Sequence, residues 1–271
     1  MKKYTTFAKN YSMSDKSPKN KPLILVTNDD GIYAKGIRCL VEALRPFGEV
    51  VVVAPDSPRS AQSNALTIGE LLRVRKVSVF EGIEAYECSG TPVDCVKIAR
   101  RTLLKDRPIA LCVSGINHGS NASINVIYSG TMSAAMEASI GGIKAIGFSA
   151  LDFASDADFS ASQHIIAQLV PWALENDLGG KQLWNVNIPK IATEALKGIR
   201  FCRQAKAHWI EEYVERTDPN GRNYYWLTGK FINEDHGEDT DIWALENGYV
   251  SIVPCQFDLT DYTVKGEAFR V

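Results

Sequence analysis

The sequence has little net charge and lacks long apolar runs. Its formal net charge is -2 over 271 residues, and no apolar run reaches the roughly 18 residues of a transmembrane helix. Proteins that bind a nucleic-acid polymer or an anionic membrane usually carry a strong basic excess. We therefore expect neither a nucleic-acid polymer nor a membrane as a partner. A small anionic ligand stays compatible with this composition, because one local site is enough to hold it.

Signatures of several other protein classes are also missing. The six cysteines form no CxxC pair, which favours reduced thiols in a cytoplasmic protein over a disulfide framework or a zinc site. The absence of GxxxxGK[ST] excludes a P-loop nucleotidase, and no GxSxG or cysteine–histidine arrangement stands out. Residues 1–20 are polar and basic without the apolar segment of a signal peptide. We interpret them as a disordered tail or an expression remnant.

The rest of the sequence alternates between buried strands and helices. Apolar runs predict strands at 22–26, 49–55, 109–114, 144–149 and 183–188. Helical spacing with Pro and Gly stops predicts helices at 36–47, 92–104, 131–140 and 160–176. Because runs without polar alternation are typical of strands buried on both faces, we predict an α/β fold with a mostly parallel sheet. Aromatic stretches on either side of Asp218–Arg222 predict a long antiparallel hairpin.

Polar clusters follow or flank several of the predicted strands. They are Thr27–Gly31, Asp56–Ser60, Ser114–Asn117 and Ser129–Thr131, the last of which begins a helix. The carboxyl ends of parallel strands meet at one edge of a sheet, and ligands bind at that edge. We therefore expect these clusters, which are far apart in sequence, to converge on one site.

The chemistry of the clusters indicates a metal ion beside an anion. Asp29 and Asp30 are adjacent carboxylates, and their repulsion is relieved by a cation, although an Asx–Gly turn is the alternative interpretation. With Ser60 and Asn117 they offer four oxygen ligands and no His or Cys, a set that suits Mg²⁺ or Mn²⁺ better than Zn²⁺. Ser129–Thr131 either caps its helix or binds an anion through free amides and hydroxyls.

From the residues alone, the best prediction is metal-assisted hydrolysis of a phosphate ester. A metal-dependent glycosyltransferase stays open, since such enzymes also place acidic residues at the edge of a Rossmann-like sheet. A non-enzymatic receiver or nucleotide-sensing module stays open too, although such modules are usually shorter than this chain. His118 is a candidate general acid, and a passive loop histidine is the alternative interpretation.

The order of these clusters resembles the SurE family of stationary-phase survival proteins, which are 5′/3′-nucleotidases. The motif NDDG or SGT alone is not specific, whereas the joint pattern is. The match extends from about residue 22 to near the C-terminus, through ILVTNDDGIYAKGI, VVVAPDSPRSAQSNALT, CSGTPVDCVKIA, LCVSGINHGSNASINVIYSGTMSAAMEA, WNVNIP, DPNGRNYYWLTG and DTDIWALENGYVSIVPCQFDLTDY.

The resemblance implies an enzyme, a 5′-nucleotidase that needs a divalent metal. Such a phosphomonoesterase converts nucleoside 5′- and 3′-monophosphates to nucleoside and phosphate, and short polyphosphate is a further candidate substrate. The resemblance implies one Mg²⁺ or Mn²⁺ per subunit, held by Asp29, Asp30, Ser60 and Asn117. We further predict Asp29 and Asp30 as the catalytic residues, since they would hold the metal and either one could accept a proton from the attacking water.

The resemblance further implies the substrate contacts and the architecture. Substrate phosphate is expected to contact Asn28, Asn64, Ser129, Gly130 and Thr131. The implied fold is a Rossmann-like three-layer core over residues 21–190. Residues 191–271 are expected to complete the fold and to carry a hairpin arm that joins homodimers and sometimes tetramers.

Overall fold

The computed structural model describes residues 21–263. The predicted tail at residues 1–20 therefore lies outside the described residues. Along the described part of the chain, strands and helices alternate as the apolar runs predict. None of the helices within it is long and apolar enough to cross a membrane.

Nine of the eleven strands in residues 21–263 form one sheet. The strands are β1 (Leu23–Thr27), β2 (Glu49–Pro55), β3 (Val74–Val77), β4 (Glu84–Cys88), β5 (Ile109–His118), β6 (Ala145–Ala150), β7 (Leu183–Ile188), β8 (Ile199–Phe201), β9 (Ala207–Thr217), β10 (Asn223–Asn233) and β11 (Val250–Pro254). The sheet order is β3-β4-β2-β1-β5-β6-β7-β11-β8. Only the β3–β4 and β11–β7 pairs in this sheet are antiparallel. The predicted mostly parallel sheet is confirmed.

Helices cover both faces of the sheet and make three layers. The helices are α1 (Lys35–Leu44), α2 (Pro92–Ile98), α3 (Gly130–Ile140), α4 (Ser160–Glu175) and α5 (Asp241–Glu246). In β1, Ile24 packs in the core beneath α1 and α4, whereas Leu25 packs in the core beneath α2 and α3. Successive strand residues point to opposite faces, so a strand covered on both sides must be apolar throughout. The α/β three-layer prediction is confirmed.

Strand β5 is longer than the sequence predicts. We expected it to end at Ser114 and Asn117 to lie in a following loop, but the strand continues to His118 after a register shift against β6. Gly115 permits the irregularity, because its φ is +131° and a Cβ there would lie 2.4 Å from the carbonyl oxygen of Phe148. The irregularity interrupts the apolar run, and pairing resumes at Asn117 opposite Ser149.

The C-terminal part of the described chain contributes to the main sheet as well as to a hairpin. Strands β9 and β10 form the predicted antiparallel hairpin, with Thr217 opposite Asn223 at its tip. The short strands β8 and β11 and the helix α5 were not predicted, and β11 pairs with β7 in the main sheet. The role of the hairpin in dimerisation stays a prediction.

Candidate functional site

Asp29 lies at the carboxyl end of β1, pressed against the first turn of α3. Its side chain is buried, with 4% of the residue surface exposed. The Oγ1 hydroxyl of Thr131 donates a hydrogen bond of 2.5 Å to its Oδ1. Gly130 makes this approach possible, since a Cβ at that position would lie only 2.7 Å from the Cβ of Asp29. The end of β1 and the start of α3 therefore form one unit.

The start of α3 is capped and still leaves amides for a ligand. The Oγ of Ser129 accepts a hydrogen bond of 3.0 Å from the amide of Met132, which makes Ser129 the N-cap. The first amides of a helix have no intrahelical acceptor, which leaves those of Gly130 and Thr131 available to a ligand. The helix dipole adds partial positive charge at the same place. The cap is present, and the phosphate contacts at these residues stay a prediction.

Asp30 faces a different neighbour from Asp29. Its Oδ2 lies 3.3 Å from the Nδ1 of His118, at the end of β5. The ring of His118 packs edge-on against Phe159, with 5.0 Å between the ring centres. This packing fixes the imidazole beside the carboxylate, so His118 belongs to the site although the sequence left its role open.

The two carboxylates differ in their surroundings. Burial raises the pKa of Asp29 to about 6. The hydrogen bond from Thr131 lowers that pKa, and the charge of Asp30 raises it further. A cation between the two side chains would favour their ionised forms, because an opposite charge lowers a carboxyl pKa. The site thus contains a buried carboxyl group whose charge has no cationic side chain to compensate it among the described contacts.

Several buried oxygen atoms without a partner in the described chain belong to residues at or just after the end of β1 and beside it in β5. Among residues 21–263, the buried Oδ1 of Asn28, Oγ1 of Thr27 and Oγ of Ser114 have no hydrogen-bond partner. Thr27 is the last residue of β1 and pairs with Ser114 of β5, so these residues lie toward the edge of the sheet at which β1 ends. Buried polar groups are normally satisfied, and oxygen-rich sites suit Mg²⁺ or Mn²⁺.

The donor types among the predicted ligands favour a hard metal over a softer one. Within the described part of the chain, no three His, Cys, Asp or Glu side chains come together to hold a metal ion. The six cysteines carry free thiols, and none of them is among the predicted ligands. A cation at this edge would therefore depend on two carboxylates and on hydroxyl and amide oxygens, a set typical of magnesium and manganese sites.

Asn117 lies near the end of β5, and Ser60 lies in the loop after β2. The Nδ2 of Asn117 donates to the carbonyl oxygen of Gly119 at 3.0 Å, which leaves its Oδ1 open. The amide of Arg59 donates to the carbonyl oxygen of Asp29 at 2.7 Å, so the exposed Ser60 follows a residue that touches the site. Ser60 itself makes no direct hydrogen bond to Asp29 within residues 21–263, and its role as a ligand stays a prediction.

Asn64 lies in an exposed loop beside the segment that leads into α3. The Oγ of the adjacent Ser63 donates to the carbonyl oxygen of Ile127 at 2.6 Å. Ile127 precedes the N-cap Ser129 by two residues, so this contact ties the loop to the start of the helix. Asn64 makes no direct hydrogen bond to either carboxylate in the described structure. Its predicted contact with substrate phosphate stays a prediction.

Known proteins with the same pattern identify the family. Residues 24–211 match the family model described as Survival protein SurE, and all of the predicted site residues fall in that range. This match covers more than half of the chain. The chain belongs to the SurE family.

SurE relatives match nearly the whole chain. The protein named 5′-nucleotidase SurE from Christiangramia forsetii is 59% identical over 244 residues, which are 89% of this chain and 94% of the relative. That of Cytophaga hutchinsonii is 55% identical and covers 93% of this chain and 97% of its own. The crystal structure of the SurE protein from Aquifex aeolicus has a TM-score of 0.77 at 38% identity, covering 91% of this chain and 98% of that one.

A buried amide network, which the sequence did not reveal, holds the loop after β5. The amide of Asn121 donates to the Oδ1 of Asn187 at 2.9 Å, and the Nδ2 of Asn185 donates to the carbonyl oxygen of Asn121 at 2.8 Å. The signal was the alternation in WNVNI, which places both asparagines of β7 on one face. This network fixes the chain that follows Asn117 and His118 in the candidate site.

Proposed function

We propose that the protein is a divalent-metal-dependent phosphomonoesterase that hydrolyses nucleoside monophosphates. The observation that carries the proposal is the buried carboxylate of Asp29 hydrogen-bonded to Thr131 at the start of α3. This contact joins an acidic, oxygen-rich cluster to a helix N-terminus, and helix N-termini bind phosphate groups. Relatives at more than half identity are named 5′-nucleotidase SurE.

The ligands for the cation would be Asp29, Asp30, Ser60 and Asn117. When bound, a divalent cation there supplies Lewis-acid stabilisation to a phosphate oxygen and lowers the pKa of a water molecule. Asp29 and Asp30 compensate the charge of that cation. The Oδ1 of Asn117 would add a neutral ligand, because the Nδ2 of the same side chain already donates a hydrogen bond to the carbonyl oxygen of Gly119.

The start of α3 would hold the phosphate during hydrolysis. The amides of Gly130 and Thr131 would donate to the equatorial oxygens, where negative charge must be stabilised in the transition state. Asn28 is held by the hydrogen bond from its Nδ2 to the carbonyl oxygen of Gly31 at 2.9 Å. The buried Oδ1 left without a partner in the described structure is an acceptor, so the contact of Asn28 with phosphate would come from the second hydrogen of its Nδ2 and would add no third negative charge.

We extend the proposal to nucleoside 3′-monophosphates and to short polyphosphate. All of the contacts assigned above involve the phosphate group and the atoms that bind it. Any substrate with an accessible terminal phosphate would therefore contact the same protein groups. These contacts do not depend on whether the 5′ or the 3′ oxygen of the ribose is the leaving group. The rate with each substrate then depends on contacts outside this phosphate site.

Phosphate release tests the proposed function. We expect the purified protein to release phosphate from nucleoside 5′- and 3′-monophosphates, to lose this activity with a chelator, and to regain it with Mn²⁺ or Mg²⁺. If no divalent ion restores release from any monophosphate, the proposal is wrong. Sugar transfer without phosphate release would instead indicate a glycosyltransferase, and nucleotide binding without turnover would indicate a sensing module.

We also propose that the β9–β10 hairpin joins two subunits in a homodimer, and in some conditions a tetramer. Aromatic side chains cover the hairpin but stay exposed in the single chain, with Tyr213 at 68% and Trp226 at 63%. Large exposed apolar patches are typical of interaction sites. We expect light scattering at micromolar concentration to give twice the mass of the chain. A monomer at that concentration would refute this proposal.

A further inference from the structure

Phe153 is an exposed aromatic residue just beyond the end of β6. Its surface is 79% exposed, which is the largest value among the exposed aromatic residues of the described chain. Strand β6 ends at Ala150 on the same edge of the sheet as the candidate site. An apolar ring in water is unremarkable by itself. The position of this ring distinguishes it from the others.

The ring of Phe153 packs against the loop that continues from the candidate metal ligand Asn117. A Cβ built on Gly119 would lie 2.3 Å from its Cε1 and 2.8 Å from its Cδ1, so only glycine allows the ring to lie this close. The carbonyl oxygen of Gly119 accepts the hydrogen bond from the Nδ2 of Asn117 at 3.0 Å. The exposed ring and the candidate ligand therefore share one glycine as a neighbour.

The backbone around Phe153 is held in place. The buried Oδ1 of Asp152 accepts a hydrogen bond of 3.1 Å from the amide of Ala154, one residue beyond Phe153. The same oxygen forms an ion pair of 2.8 Å with the Nζ of Lys190, beyond the end of β7. These contacts on both sides of Phe153 fix the position from which its ring projects into solvent.

We propose that Phe153 is the platform on which the base of the nucleotide substrate stacks. The inference rests on the proposed function, because it takes the phosphate to lie between Asp29 and the start of α3. From there the nucleoside extends along the sheet edge past Asn117 to the open face of the ring. Stacking on an aromatic ring tolerates every base, since each base has a π-face. The site then favours nucleotides over base-free phosphate esters without selecting one base.

Paired substrates test the platform. We expect Phe153→Ala to raise KM for nucleoside monophosphates by about tenfold, on the scale of base–aromatic stacking, and to leave kcat nearly unchanged. For ribose 5-phosphate, which has the same phosphate and sugar but no base, KM should not change. Phe153→Trp should restore the wild-type KM for nucleotides. Ile140→Ala is the matched control, because Ile140 is also an exposed apolar residue and is the last residue of α3, the helix end farthest from the site at Ser129–Thr131.

Each other outcome overturns a separate statement. An unchanged nucleotide KM in Phe153→Ala overturns the platform and leaves the proposed function standing. An equal rise in KM for nucleotides and ribose 5-phosphate also overturns it, because that result indicates a disturbed phosphate site. If the wild type releases no phosphate, the proposed function fails. In that case, calorimetric titration of a nucleoside monophosphate into the wild type and into Phe153→Ala tests whether the base stacks on Phe153. Equal affinities of the two proteins would reject the stacking.

Discussion

Asp30→Asn is expected to lower kcat/KM for nucleoside monophosphates by about 10²- to 10³-fold, the scale on which loss of one electrostatic contact in an active site acts. The substitution keeps the size of the side chain and removes its charge. A cation at this site then loses one of its two anionic ligands. The measurement is phosphate release with saturating Mn²⁺, and wild-type turnover by the variant would contradict the assignment of Asp30.

The stability of the same variant separates loss of function from loss of fold. Asp30 is less buried than Asp29, with 21% of its side chain exposed. Removing one of two adjacent carboxylates also removes their repulsion. We therefore expect the metal-free variant to have a melting temperature no lower than that of the metal-free wild type. Asp106→Asn is the matched control for activity, since Asp106 is an exposed carboxylate before the amino end of β5, at the opposite edge of the sheet.

Gly130→Ala is expected to lower kcat/KM by about 10²-fold and to destabilise the protein by about 1–3 kcal/mol, as overpacking of a buried contact does. The added Cβ would lie 2.7 Å from the Cβ of Asp29 and 2.9 Å from its Oδ2. Asp29 must then move away from the start of α3, and the hydrogen bond from Thr131 is lost. Both the predicted cation site and the phosphate site contain groups that this movement displaces.

The sign of the stability change makes the Gly130 experiment decisive. Without a clash, alanine in a helix is more stable than glycine by about 0.5–1 kcal/mol. Gly69→Ala is the control, because no heavy atom lies within 4 Å of a Cβ built on Gly69. The melting temperature and the rate of phosphate release should both be lower in Gly130→Ala than in the wild type. Both should be unchanged in Gly69→Ala. A more stable Gly130→Ala with wild-type activity would show that Asp29 does not depend on this close approach.

Much of the fold could be predicted because its core strands are apolar on both faces. The run in β1 is buried along its whole length, and the prediction of a central strand at 22–26 was sound. Strands β8 and β11 could not be recognised in the same way. Strand β8 is only three residues long and only partly buried, so its sequence carries no clear periodic signal.

The sequence was enough to predict which residue types form the candidate site, but not which contacts those residues make. Sequence spacing indicated that Asp29 and Ser129–Thr131 meet at one edge of the sheet. It could not show that Asp29 is buried against Thr131, because that contact joins residues 102 positions apart. Two adjacent aspartates look alike in sequence, and only the packing of α3 on one side and of His118 on the other makes them different.

Phe153 and His118 illustrate the limit of prediction from single residues. In sequence, Phe153 is one aromatic residue after a strand. The role inferred for it depends on its contact with Gly119, which only the structure shows. The contact of His118 with Asp30 depends on β5 continuing beyond Ser114, which the apolar run did not indicate. Both features arise from tertiary contacts between segments that carry no common sequence pattern.

The most direct test of the central claim is calorimetric titration of Mn²⁺ into the metal-free protein. We predict saturable binding of one Mn²⁺ per chain for the wild type and at least tenfold weaker binding for Asp30→Asn, since a carboxylate is a stronger ligand than an amide for a hard cation. Asp106→Asn should bind as the wild type does. No saturable binding by the wild type, together with phosphate release that continues in the presence of a chelator, would contradict the claim that these carboxylates hold a metal ion.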